Sequence, residues 1–522
     1  MKLEIANPFY NNNFANKKIM IIIPHQDDEL FLCGTILGAL KQVNCKISVV
    51  FVTNGDYSNC FVKRKHEAIK ALSKYGVEKN SIIFLGYGDQ YDTPYGHIYN
   101  APEDLVVVSK SNHVQTFGED NIYGNNIHHQ YTRRNIYNDI KETIQKIHPD
   151  VFFYNDLDWH PDHRAVSLLV DRALGEILKQ EIVYRPMVFK GFVYYLGWDG
   201  RFDYTPINLS STKKPNRIYS CDKRFEFGNP YLKWNERIRF PVDNHLLKTK
   251  KNILFRAINQ YRFSQNAKKY FFSMMNSDAV FWKKETNNWA LSASVNVSSG
   301  EASFLNDFMI IDSNNIAKRK MQYDAGVWFP DSDDKNPMIT FMLNESKAVN
   351  KLVFYRDIYS YGCGEIFIDI NFVVDENYRT LTEKYKLKIG KYDVKGVLSL
   401  SRSIKIKAIN INVTGECRYG FSEIEILSEE KWKFNKLMVG NDFIYHYYVT
   451  KKCNKLPLTV YQGDKLDDYK INLIVSKNNK EYVTLKNDVL YMKSGFKKCE
   501  LLLQSCNHRE VWDKVIIERR AR

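Results

Sequence analysis

From residue 17 to about 180, short apolar runs of strand length alternate with stretches whose apolar residues recur at helical spacing. That is the pattern of βα units feeding a parallel sheet. Residues 18–23 predict a buried strand and residues 29–40 the helix after it. Residues 46–53 predict a second strand, which stops at the turn Asn54-Gly55-Asp56. A helix over about 63–75 follows, with Ala68, Ile69, Leu72 and Tyr75 forming its apolar face and Gly76 at the C-cap position. A third strand is predicted at 82–85, a helix at about 135–147, a strand at 151–154, and a further helix beginning near Arg164. Residues 86–131 are polar and rich in Gly, Asn and His, too long for a plain connector and suited to framing a site.

Near Ala267 the pattern changes to period-two alternation between turn residues, as in 351–355, 366–370, 404–413 and 424–427. The segment from about 433 to 522 is again strand-rich, at 469–475, 499–503 and 515–517, and is long enough for a second, smaller sandwich. At ~150 residues per domain, 522 residues allow about three domains. The expected division is 1–266, 267–430 and 431–522.

Composition narrows the class. With 44% apolar and 26% charged residues the chain is globular rather than disordered or fibrous. Nine cysteines without a CxxC pair argue against a disulfide framework or a Cys-based zinc ribbon. The polar start and the lack of ~18 consecutive apolar residues lead us to expect a soluble, cytoplasmic protein without a transmembrane segment. The net charge of +15 suggests nucleic acid or another anion. Its lysines, at 63–65, 248–251 and 268–269, are dispersed, and no nucleic-acid module collects them. The expectation is therefore no nucleic acid partner, and a basic surface that is merely solvated or that attracts an anionic sugar substrate.

Two motifs carry candidate chemistry. Pro24-His25-Gln26-Asp27-Asp28-Glu29 follows the first predicted strand, and His160-Pro161-Asp162-His163 follows the strand at 151–154. Taken singly, each reads as a helix start, with carboxylates satisfying free N–H groups or Pro at N1. Together, at the carboxyl ends of strands in one parallel sheet, they can converge on one crevice. Imidazole and carboxylate suit zinc or ferrous iron. His25 and Asp28, three apart, can face one way and leave Asp27 as a base. His160 and His163 share that spacing, so one can bind metal while the other faces substrate. His128, His129 and His113 are either substrate contacts or part of a solvated loop, and His97, His66 and His148 are expected at the surface. No GxSxG or GxxxxGK[ST] occurs, which disfavours a serine hydrolase or an NTPase.

These motifs resemble the PIG-L/LmbE-type family of zinc-dependent sugar N-deacetylases over roughly residues 17–200, including Thr53-Asn54-Gly55, Arg64 with Glu67, and Gly86-Tyr-Gly-Asp89. The resemblance implies that His25, Asp28 and His163 bind Zn2+ (or Fe2+) and that Asp27 is the general base. It further implies that His160 stabilises the oxyanion or protonates the leaving amine, with Asp162 orienting it, and that Arg64 and Asp89 hold sugar hydroxyls or a phosphate. Gln26 stands where the family usually has Pro and is expected to loosen the loop.

Residues 275–428, with Phe281-Trp282, Trp289, 298–300, Asn306-Asp307, Val327-Trp328 and 415–426, resemble a discoidin-type (factor V/VIII C-like) sandwich. That likeness implies glycan binding through loop aromatics, and oxygen ligation of Ca2+ near Asn306-Asp307. The alternative is that Trp282, Trp289 and Trp328 are core. The last segment looks immunoglobulin-like. The expected fold is thus a Rossmann-like parallel α/β domain followed by two β-sandwich domains. The expected function is hydrolysis of the N-acetyl group of an amino sugar, with a glycan-binding protein carrying an inactive α/β domain as the alternative.

Overall fold

The computed structural model describes residue 9 and residues 14–520, apart from 59–60, 119–126, 194–223, 226, 242–251, 263–277, 311–325, 377–378, 429–434, 440–445, 463–468 and 507–510. The composition change near Ala267 and the lysines at 248–251 and 268–269 lie outside the described residues.

The first unit runs β1 (Lys18–Ile23), α1 (Asp28–Gln42), β2 (Lys46–Thr53), α2 (Phe61–Ser73), β3 (Ile82–Tyr87), α3 (Arg133–Ile147), β4 (Val151–Asn155), α4 (Pro161–Gln180), β5 (Met187–Gly191), β6 (Ile238–Pro241), α5 (Ile253–Ile258) and β7 (Asp278–Lys284). Its sheet has the order β3-β2-β1-β4-β5-β7-β6. The first five of these strands pair in parallel, and β7 joins β5 and β6 antiparallel. Strand alternation sorts the core into two layers. Ile19, Ile21 and Ile23 pack with Leu30, Leu37 and Leu72 of α1 and α2. Met20 and Ile22 pack with Ile136, Ile140, Leu169 and Leu174 of α3 and α4. A sheet covered on both faces explains why its strands are continuously apolar.

Two differences from the sequence reading matter. Helix α4 begins at Pro161, so the second motif is the helix's own first turn rather than a loop ahead of Arg164. Periodicity, which needs an apolar residue to start counting, misses that capping turn. Strand β7, which the change in alternation groups with the second unit, extends the first sheet, and its Trp282 packs there against Phe192 and Phe227.

The second unit comprises β8 (Ser294–Val297), β9 (Met338–Arg356), β10 (Ile366–Glu376), β11 (Arg379–Ile389), β12 (Lys395–Gly415) and β13 (Phe421–Leu427). They form an antiparallel sheet, β11-β10-β12-β9-β13 with β8 on β9. β9 and β12 are long, and shifts of register along their pairing let the sheet curl round one apolar core. Trp328 lies in that core, stacked on Phe421, with its indole N–H on the Ser299 carbonyl at 2.9 Å. Trp289 is half-buried, with Arg185 and Lys347 over its ring. Trp282 and Trp328 are therefore core, and Trp289 packs partly buried at the edge of one. Two side-chain oxygens of the Asn306-Asp307 turn are used within the protein: Asn306 Oδ1 accepts from the Lys179 ammonium (3.4 Å) and Asp307 Oδ1 from the Met309 N–H (2.8 Å).

The third unit has β14 (Asn435–Val439), β15 (His446–Val449), β16 (Lys455–Gln462), β17 (Tyr469–Ile474), β18 (Val483–Lys486), β19 (Val489–Met492), β20 (Lys498–Ser505) and β21 (Val511–Arg519). Its two four-stranded sheets, β14-β16-β19-β18 and β15-β21-β20-β17, enclose a separate small core.

The first two units share buried surface. Gly175 of α4 admits the chain at 307–308 so closely that a Cβ there would lie 2.3 Å from the Asp307 carbonyl oxygen. The Tyr231 hydroxyl donates to the Arg356 carbonyl at 2.7 Å. Strand β13 is buried on both sides, its alternating glutamates included. Burial pushes the Glu425 carboxyl up to about 7, although the Tyr355 hydroxyl donates to it at 2.9 Å. An acid whose folded pKa is raised stabilises the native state below its unfolded value of about 4.5, and that contribution is lost as pH rises towards 7. Glu425→Gln is therefore expected to raise the thermal midpoint at pH 8, by up to about 3 kcal/mol of stability, and to lose that advantage at pH 4.5. Equal differences at both pH values would refute it.

Candidate active site

β1 and β4 are parallel neighbours, with Ile19 opposite Val151 and Ile22 opposite Tyr154, so the loops leaving their carboxyl ends lie side by side. The chain winds from β1 outward to β3 on one side and from β4 to β5 on the other. The gap between β1 and β4 is thus the topological switch point, where open α/β sheets bind ligands. The two motifs meet there.

Three donor atoms converge. His25 Nδ1 lies 3.2 Å from Asp28 Oδ2, His163 Nε2 lies 3.2 Å from the same oxygen, and the two nitrogens are 3.3 Å apart. The far nitrogens fix the tautomers. His163 Nδ1–H donates to Asp158 Oδ2 at 2.7 Å, and His25 Nε2–H faces Asp162 Oδ2 at 3.1 Å and Asp89 Oδ1 at 3.3 Å. Two imidazole nitrogens and a carboxylate oxygen therefore point at one spot, an arrangement that either protons or a cation relieve. A tetrahedral ion with bonds of about 2.0–2.1 Å places its ligands about 3.3–3.4 Å apart, matching this triangle. His160 lies beside it, its ring centroid 4.8 Å from that of His25 and 4.9 Å from that of His163. Two further groupings also bring their ligand atoms close enough to share an ion, His25 with His160 and His163, and His25 with Asp89 and Asp162.

Asp27 heads α1 at φ 129°, a backbone conformation that costs a non-glycine residue about 1–3 kcal/mol, and its side chain caps nothing. The strain is held from below: Glu29 Oε2 accepts the Asp27 N–H at 2.9 Å, while the Tyr261 hydroxyl holds Oε1. Gln26 does not loosen the loop. It is buried and donates to the Thr53 carbonyl at 2.8 Å, tying the motif to the end of β2.

Comparison with known proteins bears on this geometry. Residues 20–174 match the family described as PIG-L, GlcNAc-PI de-N-acetylase. These residues are a PIG-L domain. None of the curated proteins matches the chain. Among solved structures, the chain is similar to an N,N'-diacetylchitobiose deacetylase from Pyrococcus horikoshii, at 16% identity and TM-score 0.31, over 54% of this chain and 88% of that one. It is also similar to CpGH89CBM32-6 from Clostridium perfringens, at 16% identity and TM-score 0.20, over 27% of this chain and 99% of that one. A chitosan-binding module 1 of a chitosanase/glucanase from Paenibacillus sp. IK-5 matches at 17% identity and TM-score 0.18, over 27% and 98%.

Inside the PIG-L domain the electrostatics follow from burial among carboxylates. Burial alone would lower the His163 imidazole, but Asp158 and Asp28 outweigh it and lift it to about 10. His25 is likewise pulled down by burial and raised overall by Asp89, Asp162 and Asp28. A field that holds protons this firmly favours a divalent cation in their place. Burial raises the Asp27 carboxyl to about 6 against the opposing pull of Arg64, whose guanidinium sits 3.4 Å from Oδ1. Burial, aided by His25, lowers His160 to about 4, so it is neutral at pH 7. Its Nδ1 accepts the Asp162 N–H at 3.3 Å, which leaves the proton on Nε2.

The remaining expected residues fall close by. The Asp162 carboxylate is nearer to His25 than to His160, whose Nδ1 is 3.7 Å away. Arg64 also donates to the Gln26 carbonyl at 2.8 Å and the Gly55 carbonyl at 3.3 Å. Asp89 is buried beside His25, and its N–H donates to Asp56 Oδ1 at 2.7 Å. His128 and His113 are exposed on the long loop, and His129 pairs with Asp139 at 2.8 Å. His66 is exposed and His148 pairs with Glu181 at the surface. His97 is a correction: it is 2% exposed and bound to Asp162. Asp158 was missed as well, although its place two residues ahead of His160 is the signal that could have found it.

Proposed function

We propose that the protein hydrolyses the N-acetyl group of an amino sugar in a glycan, lipid-linked or nucleotide-linked N-acetylhexosamine, giving acetate and a free amine. The convergence of His25 Nδ1, Asp28 Oδ2 and His163 Nε2 beside an uncapped Asp27 is the observation that carries this reading. Zinc or ferrous iron held by those three residues would polarise the amide carbonyl and acidify water. Asp27, with its carboxyl near 6, takes the proton of the attacking water and hands it on to the departing nitrogen. His160, neutral and carrying its proton on Nε2, donates a hydrogen bond to the oxygen on which negative charge develops, in preference to acting as the acid. Arg64 and Asp89 are assigned first to holding Asp27 and His25, with any sugar contact a second duty. Asp162 reaches His160 mainly through its backbone.

A reducing, cytoplasmic setting fits the described cysteines, all of them free thiols. No helix among the described residues is long and apolar enough to cross a membrane. The test is acetate release by the full chain on free, lipid-linked and nucleotide-linked N-acetylhexosamines. Turnover of at least one is expected, whereas metal-loaded protein inert to all would favour the glycan-binding alternative. The +15 charge predicts a kcat/KM for anionic conjugates that falls several-fold between 50 and 200 mM salt, as screening about halves the Debye length. A flat salt profile would leave the charge as surface solvation.

A further inference from the structure

We propose that His97 is a positioning residue of this site: from the long loop it holds one oxygen of Asp162, fixing the carboxylate and the first turn of α4 that carries His160. The inference rests on the deacetylase reading and extends it to a residue outside both motifs.

His97 immediately precedes the single helical turn Ile98–Asn100. Its Nδ1 accepts the Tyr99 N–H at 3.1 Å, so the ring proton resides on Nε2, and Nε2–H donates to Asp162 Oδ1 at 2.7 Å. The tautomer is thus set by the loop's own backbone. Tyr91 packs edge-on against the ring, centroids 5.4 Å apart, and Tyr131 packs against Tyr91 at 5.8 Å, so the imidazole has a rigid wall behind it. At 2% exposure it cannot reach a substrate.

The effect passes through Asp162, which is buried and sits between three imidazoles. With Oδ1 held by His97, Oδ2 is presented to His25 at 3.1 Å and to His160 at 3.7 Å, and the Asp162 N–H is presented to His160 Nδ1 at 3.3 Å. Removing His97 leaves the buried Oδ1 without its donor and frees the carboxylate to rotate. His25 has a second support in Asp89 at 3.3 Å. The consequence therefore reaches His160 through the first turn of α4 and the Asp162 N–H that its Nδ1 accepts, and so the developing oxyanion more than the metal.

The experiment compares the full-length wild type with His97→Ala and His97→Gln after loading with zinc, measuring zinc content, thermal midpoint, and kcat and KM for acetate release. His97→Ala is expected to keep its zinc and its KM while kcat falls roughly 10- to 100-fold. His97→Gln, whose amide N–H can stand in for Nε2–H, is expected to recover most of that loss at the same zinc content. The proposal is overturned if His97→Ala turns over like the wild type, if it loses zinc, or if the glutamine variant is no better than alanine. A wild type that releases no acetate overturns the deacetylase reading and this proposal with it. A wild type that turns over beside an unaffected His97→Ala overturns this proposal alone.

Discussion

Asp27→Asn is expected to remain folded and metal-loaded while kcat falls by about 100- to 10,000-fold. Asparagine is the informative replacement because it matches the carboxylate in shape and adds no bulk at a position already held at φ 129°. What it cannot do is accept a proton. The Glu29 clamp on the Asp27 N–H and the three converging donors are untouched by the change. Metal analysis should therefore match the wild type. Because burial lifts the Asp27 carboxyl above the usual carboxylate range and the base must be ionised, wild-type kcat should show an acidic limb that follows its ionisation. The residual activity of Asp27→Asn should lack this acidic limb. A variant retaining more than about a tenth of wild-type kcat would remove Asp27 from the role of base.

His25→Ala should fail earlier, at the metal. His25 supplies one corner of the triangle and is the partner of Asp28, Asp89 and Asp162, all buried. Without it two donors remain, and three carboxylates lose the imidazole between them. Bound zinc or iron is expected to drop to background on analysis of the purified protein, with no detectable acetate release. The metal-free variant should also unfold more easily than metal-free wild type, by about 3–5 kcal/mol, the usual consequence of removing one partner from a buried charge cluster. A variant that still binds one equivalent of metal would move the ion elsewhere, for instance towards His160 and His163.

Much of this site could be read from the chain because it sits on local rules. A strand, a short loop and a helix start place His25, Asp27 and Asp28 at one spot whatever the rest of the fold does, and a second such junction supplies His160 and His163. What escaped the reading was non-local. His97 is polar and set in a polar loop, and nothing in its neighbours announces that 65 residues later Asp162 will need a donor. Glu423 and Glu425 alternate with Ile424 and Ile426, yet they too are buried, with Lys284 of the first unit beside them. Trp282 likewise has the company of a sandwich in sequence and of Phe192 and Phe227 in space. Periodicity reports what a strand does with its own two faces, not which neighbour covers them.

The late entry of β7 into the first sheet bears on how this protein can be divided or inherited. A gene fragment ending anywhere in 242–277 would omit the strand that bridges β5 and β6, and would bare Phe189 and Phe240 where Phe281 now packs. The same fragment would strip α4 of the chain at 307–308 that lies against Gly175. The segment carrying the two motifs is therefore not a portable cassette. Evolution could exchange the third unit, whose core is its own, far more readily than it could part the first two.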